Sequence, residues 1–248
     1  MRYKRIIPIL LMNENSLVKT TSFKNPRYIG DPCNTLRIFN ELEVDEIVIL
    51  DIGVSKSGSG PNFQLIQDMA SECFMPISYG GGITSIEQAN KLFSLGIEKI
   101  VFNTACFENL NLMQTVSNKF GSQAVVASID YHVRKNDKIK AVNHLSKKEV
   151  DVFNHLAIVE GSGAGEIILT NMVREGSWEG YDIESLKKFS KLVDLPIIAN
   201  GGCGLATHVE TLFGETQISA AGVGSMFVYQ RKGMGVLVNV PESLRRRD

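Results

Sequence analysis

Short runs of apolar residues alternate along the chain with longer segments in which apolar residues recur every three or four positions. Eight of the short runs are rich in β-branched residues, which predicts buried β-strands. They read IIPILL, EIVILDI, MPISYG, KIVFN, AVVASID, EIILTN, LPIIAN and ISAAGVG. Segments between them, such as FQLIQDMASEC, SIEQANKLFSLG, LNLMQTVSNKFG and IESLKKFSKLV, have the period of amphipathic helices. This alternation predicts an α/β protein whose parallel sheet is covered on both faces.

The chain also repeats itself at an interval of 120 residues. DEIVILDI corresponds to GEIILTNM, and MPISYGGGI corresponds to LPIIANGGC, so that Glu46 aligns with Glu166 and Gly81 with Gly201. Two halves of four strand–helix units predict a closed (β/α)8 TIM barrel with an internal half-barrel repeat, rather than an open doubly wound sheet. We expect one domain over residues 1–248, with half-barrels of approximately 1–120 and 121–240. Two separate domains are the weaker alternative, because no Pro/Gly/Ser-rich linker divides the halves.

The overall composition is that of an ordinary globular protein. The 248 residues are 44% hydrophobic and 21% charged, with a net charge of −1. This balance does not favour nucleic acid, and the basic run Arg245–Arg247 is too short to change it. The apolar run Ile6–Met12 is interrupted by Pro8 and too short to span a bilayer, and no cleavage site follows it. We therefore expect a cytoplasmic protein that does not contact membranes.

The cysteines and histidines do not have the spacing of metal ligands. The four cysteines form no CxxC motif, and the four histidines are scattered along the chain. We therefore expect free thiols, a reducing compartment, and neither a metal nor another cofactor.

Each half of the chain places glycines where a predicted strand ends. In a barrel of this type, the active site lies at the carboxyl ends of the strands. The first half has Gly80–Gly82 followed by Asn103–Thr104, and the second has Gly201–Gly202 followed by Gly224–Ser225. Glycines let backbone N–H groups approach an anion, and a hydroxyl or a helix N-terminus completes the contact. The duplication predicts a phosphorylated small-molecule ligand with a phosphate at each end, while tight βα turns are the alternative.

Two aspartates stand at strand ends, and a third expected position is apolar. Asp51 ends the second predicted strand and Asp130 ends the fifth, so either could act as a general acid or base if partly desolvated. Either could instead cap the helix that follows. The internal repeat places Leu11 opposite Asp130. One partner of a possible acid–base pair is therefore missing.

Four charged residues stand at the starts of strands, at the opposite end of the predicted barrel. They are Arg5, Glu46, Lys99 and Glu166, whose charges sum to zero. Bare charges near a barrel core are unfavourable, whereas a mutually paired ring can persist. Spacing alone leaves two interpretations open, a structural salt-bridge layer and a gate into the barrel interior.

Taken together, these residues resemble the cyclase subunit of imidazole glycerol phosphate synthase, the HisF-like family, over essentially the whole chain. The matching stretches are KRIIP, LVK with Lys19, GDP at 30–32, DEIVILDI, YGGGI, KIVFNTA, FGSQAVVASID, GAGEIILT, GYD at 180–182 and LPIIANGG. The resemblance implies a phosphate-binding (β/α)8 barrel. It also implies a heterodimer with a HisH-like glutaminase, which docks on the bottom face and delivers ammonia through a channel gated by a charged ring.

The resemblance assigns roles to individual residues. Asp130 and Lys19 are implied as catalytic, and Asp51 remains a candidate from its position. The implied ammonia gate consists of Arg5, Glu46, Lys99 and Glu166. The implied phosphate-binding residues are Gly82, Asn103, Thr104, Gly176, Gly202, Gly224 and Ser225.

The chain departs from the family pattern at the mouth of the predicted barrel. Leu11 occupies the position of an aspartate that pairs with the equivalent of Asp130 in the family. Leucine cannot transfer a proton, and general acid–base catalysis is typically worth about 10² to 10⁴ in rate, so we expect crippled cyclisation unless another group substitutes. Val173 and Glu175 also replace aspartates, which affects the second phosphate site.

These departures resemble a side branch of HisF-like proteins associated with glycosyl amidation. The stretches LLMNENSLVKT, NPRYIGDP, ASECFMPISYGGGI and the VLVNVP ending carry that likeness. It implies that the barrel and its glutaminase supply ammonia to a separate sugar amidotransferase for surface polysaccharide such as O-antigen. Three functions follow: an ammonia-transfer subunit, a working cyclase that uses Asp130 alone or with a substitute such as Asp51, and a noncatalytic activator of the glutaminase.

Overall fold

Eight parallel strands close into a barrel at the centre of the protein. The computed structural model describes residues 4–245, so Arg246 and Arg247 of the basic run lie outside the described residues. The barrel strands are β1 (Arg5–Asn13), β4 (Ile47–Asp51), β5 (Ile77–Gly80), β6 (Lys99–Phe102), β7 (Val125–Val133), β10 (Glu166–Asn171), β11 (Ile197–Asn200) and β12 (Ala220–Val223). They pair in this order and β12 pairs with β1, which closes the sheet. The predicted (β/α)8 TIM barrel is confirmed.

Helices on the outside of the barrel connect its strands. They are α1 (Pro32–Glu41), α3 (Phe63–Ser71), α4 (Ile86–Ser94), α6 (Leu110–Phe120), α7 (Val152–Glu160), α8 (Ile183–Phe189) and α9 (Ala206–Glu215). Three single-turn helices follow strand ends, namely α2 (Val54–Ser57), α5 (Ala105–Glu108) and α10 (Ser225–Val228). Local signals start several helices: the Asp31 side chain accepts a hydrogen bond from the N–H of Asn34, and Ser85 accepts one from Gln88.

Four further strands, which the hydrophobic pattern does not predict, form excursions at the carboxyl ends of β1 and β7. β2 (Ser16–Thr21) pairs with β1, and β3 (Lys24–Gly30) pairs with β2. In the same way β8 (Ile139–Val142) pairs with the extension of β7, and β9 (Glu149–Asp151) pairs with β8. The two excursions follow the first strand of each half. They lie beside the carboxyl end of the barrel, where the sequence analysis predicts the active site.

The barrel interior is a separate apolar cluster from the core between sheet and helices. Because side chains alternate along a strand, every second residue of a barrel strand points inward. The interior cluster contains Ile7, Ile9, Val48, Val101, Val126, Ile168, Ile198 and Ala220, all at most 3% exposed. The barrel is therefore packed along its axis mainly by apolar side chains, with the buried Ser78 and Ser128 beside Val48 and Ile168.

The internal repeat is visible in the backbone contacts that follow equivalent strands. A Cβ on Gly81 would lie 2.5 Å from the carbonyl oxygen of Asp51, and a Cβ on Gly201 would lie 2.7 Å from that of Asn171. Both glycines have positive φ angles, 137° and 94°. Only glycine fits such a close approach at these angles, which explains why the motif recurs after 120 residues. The single-domain organisation and the half-barrel boundaries stay predictions.

Candidate active site

A cavity of about 720 Å³ opens at the carboxyl ends of the barrel strands, which we call the mouth. Every residue that the sequence analysis assigns to catalysis or phosphate binding lines this cavity. These residues are Lys19, Asp51, Asp130, Gly82, Asn103, Thr104, Gly176, Gly202, Gly224 and Ser225. The closed barrel therefore brings together ten positions that are spread over more than two hundred residues of sequence. Their assigned roles stay predictions.

Asp130 is a buried carboxyl group at the centre of the mouth. Its side chain is 10% exposed, and Oδ2 accepts a hydrogen bond of 3.0 Å from Nδ2 of Asn103. Burial raises its pKa to about 7, against the opposing effect of hydrogen bonds from Asn103 and Thr170; the nearby Glu175 raises it further. A carboxyl group with a pKa near neutrality can both give and take a proton, which suits general acid–base chemistry.

The raised pKa of Asp130 predicts a specific dependence of stability on pH. Between its ordinary pKa and about 7, folded Asp130 holds a proton that the unfolded chain releases. Its contribution to the free energy of unfolding is therefore lost as the pH rises through that window. We expect the free energy of unfolding of Asp130→Asn to rise relative to that of wild type by up to about 3 kcal/mol as the pH increases from 5 to 8. Urea unfolding at each pH measures the difference. The exposed carboxylate variant Asp137→Asn is the control and should show no such gain.

The wall opposite Asp130 is apolar. β1 and β7 are four strands apart in the eight-strand barrel, so they face each other across it. At the mouth, β1 presents Leu11, half-buried in the cavity wall. Asp51 also lines the cavity, but its Oδ1 accepts hydrogen bonds from the backbone N–H groups of Gly53 and Val54, at 3.1 and 3.3 Å. These bonds hold the turn that leads into α2, whose N-cap residue is Gly53, so Asp51 supports the start of the helix without being its N-cap.

Lys19 is held in an ion pair rather than presented as a free cation. Its Nζ pairs with Oε1 of Glu175, and the two side chains are 9% and 6% exposed. Glu175 also accepts a hydrogen bond from the backbone N–H of Phe23 at 3.2 Å. Glu175, one of the departures from the family pattern, thus neutralises Lys19 and fixes the β2–β3 turn. Val173, the other departure, is 63% exposed.

The two glycine clusters are built differently at the level of side chains. In the first half, the N–H of Gly82 donates to Oγ of Ser55 at 3.3 Å, and Lys56, the next residue, also lines the cavity. In the second half, a Cβ on Gly224 would lie 3.2 Å from Cε of Lys19, and Ser225 is buried. A cation therefore adjoins each cluster, but the one at the second cluster is already paired with Glu175.

The four charged residues at the strand starts form a closed circuit of ion pairs, which we call the charged ring (Arg5, Glu46, Lys99 and Glu166). Arg5 contacts Glu46 at 2.6 Å and also pairs with Glu166. Lys99 lies 3.1 Å from both glutamates. Burial alone would lower the pKa of Arg5 and Lys99, but the two carboxylates outweigh it and raise both. Each of the four side chains therefore has two partners of opposite charge.

His144 is a mouth residue that the sequence analysis does not assign. It lies in the β8–β9 turn and lines the cavity, with Nε2 3.6 Å from Oδ2 of Asp130. Burial, followed by repulsion from Lys147 and Lys56, lowers its pKa. No spacing signal in the sequence could have found it, because an unpredicted hairpin delivers it to the mouth.

Two negative findings concern only residues 4–245. Within that range, no three His, Cys, Asp or Glu side chains are grouped so that they could hold a metal ion. No helix in the same range is long and apolar enough to cross a membrane. The four cysteines are free thiols.

A closed (β/α)8 barrel with acid–base groups at its carboxyl end defines a class of barrel enzyme subunits, and the comparisons identify the family. A family model described as "Histidine biosynthesis protein" matches residues 5–233, and the chain belongs to this family as a HisF-like synthase subunit. "Putative imidazole glycerol phosphate synthase subunit hisF2" of Pseudomonas aeruginosa is 42% identical over 243 residues, 96% of each chain. "Imidazole glycerol phosphate synthase subunit HisF" of Staphylococcus aureus strain MRSA252 is 35% identical over 246 residues, 98% of this chain and 96% of the relative.

Proposed function

We propose that this protein is the barrel subunit of a glutamine-dependent complex, in which it conducts ammonia from a HisH-like glutaminase to its mouth. The ammonia serves amidation of a sugar for surface polysaccharide such as O-antigen, by a separate amidotransferase. The single observation that carries the proposal is the charged ring, a neutral circuit of four partly buried charges at the bottom of the barrel axis. Relatives named as synthase subunits support a partner chain.

The close-packed interior between ring and mouth is mainly apolar, which favours a neutral molecule over a charged one. The cavity lining includes Ile9, Leu50 and Val101. Strand alternation places Ile7, Val48 and Ser78, the pairing partner of Val48, between those residues and the charged ring. An apolar passage strongly disfavours ammonium relative to neutral ammonia, because a charge would lose its hydration there.

The apolar wall at Leu11 supports delivery to another enzyme over consumption in the mouth. Asp130 faces a leucine across the barrel, so the two-carboxylate arrangement implied by the resemblance is incomplete. The loss of the second carboxylate should slow cyclisation by about 10²- to 10⁴-fold. A barrel that no longer reacts quickly with its ammonia can pass it on.

The proposal predicts that the charged ring keeps ammonia out of bulk solvent. In the complex with glutaminase and amidotransferase, amide-¹⁵N glutamine is supplied together with unlabelled ammonium. We expect wild type to yield mainly labelled sugar and Lys99→Met to dilute the label several-fold, because removing the cation opens the circuit. Mass spectrometry of the product measures the ratio. Lys91→Met, an exposed lysine on α4, is the matched control.

Equal labelling in wild type and Lys99→Met would refute conduction through the ring. If the barrel activated the glutaminase but wild type retained no label in the sugar product, the barrel would be a noncatalytic activator instead. Genes for a glutaminase and a sugar amidotransferase beside this one would support the sugar assignment, whereas a histidine operon would contradict it.

A second candidate is cyclisation of the phosphoribulosyl-formimino ribonucleotide of histidine synthesis with ammonia. The specific observation in its favour is Asp130, whose pKa of about 7 keeps it poised for proton transfer in the cavity. Lys56 beside the first glycine cluster also suits a phosphate group, whereas Lys19 beside the second is paired with Glu175. Turnover of that substrate with ammonium chloride tests this candidate directly.

A further inference from the structure

The β8–β9 turn is anchored so that one histidine side chain points into the mouth. Asn143 is fully buried, and its Nδ2 donates to Oε1 of Glu108 at 2.8 Å. Its Oδ1 accepts from the backbone N–H groups of Leu145 and Ser146, at 2.8 and 3.2 Å. Both ends of the Asn143 amide are therefore satisfied, which fixes the turn and the adjacent His144.

A second contact orients the imidazole ring from the other side of the mouth. The rings of His144 and Phe23 have centroids 4.8 Å apart. Phe23 in turn is tied to Glu175 through its backbone N–H. The two unpredicted hairpins therefore meet over the cavity, with the His144 ring between Phe23 and Asp130.

The polar edge of that ring has an unused hydrogen-bonding atom. Nε2 of His144 is buried and has no hydrogen-bond partner among residues 4–245, yet it lies 3.6 Å from Oδ2 of Asp130. A buried polar atom without a partner is unfavourable and calls for an explanation. This separation is slightly longer than a direct hydrogen bond. A small shift of either side chain, or an N–H group of a bound ligand, would complete the contact.

We propose that His144 and Asp130 form a proton-transfer pair at the mouth of the barrel. The pair goes beyond the ammonia path and rests on the second candidate function, addition of ammonia to a carbonyl carbon of a ligand in the cavity. Because His144 approaches from a hairpin beside β7, the pair lies on one wall of the mouth, and the Leu11 wall stays apolar.

The step balances within the pair and the two reactants. The nitrogen lone pair forms a bond to the carbonyl carbon, and the π electrons of the C=O bond move to its oxygen. The positively charged nitrogen then gives one proton to the pair. The protonated pair returns that proton to the oxygen, so the product is a neutral amino alcohol and the pair is regenerated.

Charged groups from the same turn and from two other parts of the barrel act on this pair. Lys147 of the same turn and Lys56 after β4 disfavour the charged imidazolium, and Glu175 after β10 disfavours the Asp130 carboxylate. Lys19 is already paired with Glu175. Imidazole and carboxyl thus approach each other in proton affinity, which is the condition for one proton to move between them.

The pairing is tested by NMR titration of the full-length protein, following the imidazole Cε1–H signal of His144, assigned with His144→Gln. We expect its midpoint to move by about one pH unit in Asp130→Asn, since two interacting groups titrate together. His132, on the extension of β7 and paired with Glu149, is the internal control and should not move. An unmoved His144 midpoint would overturn the pairing.

The proton-transfer role is tested by turnover of the bisphosphate substrate with ammonium chloride across pH. We expect His144→Gln to lower kcat by about 10²-fold with little change in KM and to remove one limb of the pH profile. His132→Gln should keep the wild-type profile. Turnover of His144→Gln within twofold of wild type would overturn the role. Absence of wild-type turnover would also overturn it, while retention of ¹⁵N label in the sugar product would still support ammonia conduction.

Discussion

Leu11→Asp should raise the rate of ammonia-dependent cyclisation by about 10²-fold or more, the typical worth of one added general acid or base. The new carboxylate would stand on the wall opposite Asp130, because β1 and β7 face each other across the barrel. Leu11 is only half-buried and lines the cavity, so the side chain would be partly hydrated and the fold would tolerate it. Turnover of the bisphosphate substrate with ammonium chloride measures the gain.

The matched control for this gain is Leu11→Asn, which has the shape of aspartate but cannot transfer a proton. We expect its rate to stay at the wild-type level. If Leu11→Asp bound the substrate and turned it over no faster than Leu11→Asn, the missing carboxylate would not be what limits this mouth. The distortion of a phosphate site, where Glu175 replaces the family aspartate, would then be the better explanation.

Glu166→Gln should lower the free energy of unfolding by about 3 kcal/mol, because the two cations of the ring would then share a single anion, Glu46. Glu166 accepts from both Arg5 and Lys99 and is only 7% exposed. Glutamine keeps the shape and loses the charge, so the ring acquires a net charge in a poorly hydrated place. The partial exposure of Arg5 and Lys99, 22% and 17%, lets water soften the loss. Urea unfolding at neutral pH measures it.

An exposed ion pair of the same chemistry supplies the control. Glu72 pairs with Arg37 at 3.1 Å, with both side chains well exposed. We expect Glu72→Gln to change the free energy of unfolding by less than about 1 kcal/mol. Equal losses in the two variants would mean that burial does not strengthen the ion pairs of the ring.

The barrel strands were predictable because their signal is local. Each is a short apolar run bounded by turn residues, and each predicted run overlaps an observed strand, as EIVILDI overlaps Ile47–Asp51. The excursion strands were not predictable for the opposite reason. Lys24–Gly30 has five exposed residues in a row and Glu149–Asp151 has three residues in all, so neither carries a hydrophobic pattern.

The residues of the candidate site differ in the same way, because some follow from the local strand pattern and others depend on distant contacts. The glycine clusters, Asp130 and the charged ring stand at strand ends, whose positions follow from the strand pattern, and the structure places them at the two ends of the barrel. Lys19 entered only through a family resemblance, and its partner Glu175 is 156 residues away. His144 had no signal, since its contact with Asp130 depends on how a polar hairpin folds back.

By itself, the sequence determined the barrel, its twofold repeat, and the absence of a carboxylate at position 11, because hydrophobic period and residue identity are properties of neighbouring positions. Only the tertiary structure decided that Glu175 neutralises Lys19, that Asp51 accepts hydrogen bonds from the turn before α2, and that His144 faces Asp130. Those contacts arise when the barrel closes and its loops fold over the mouth, which sets distances that no local pattern along the chain encodes.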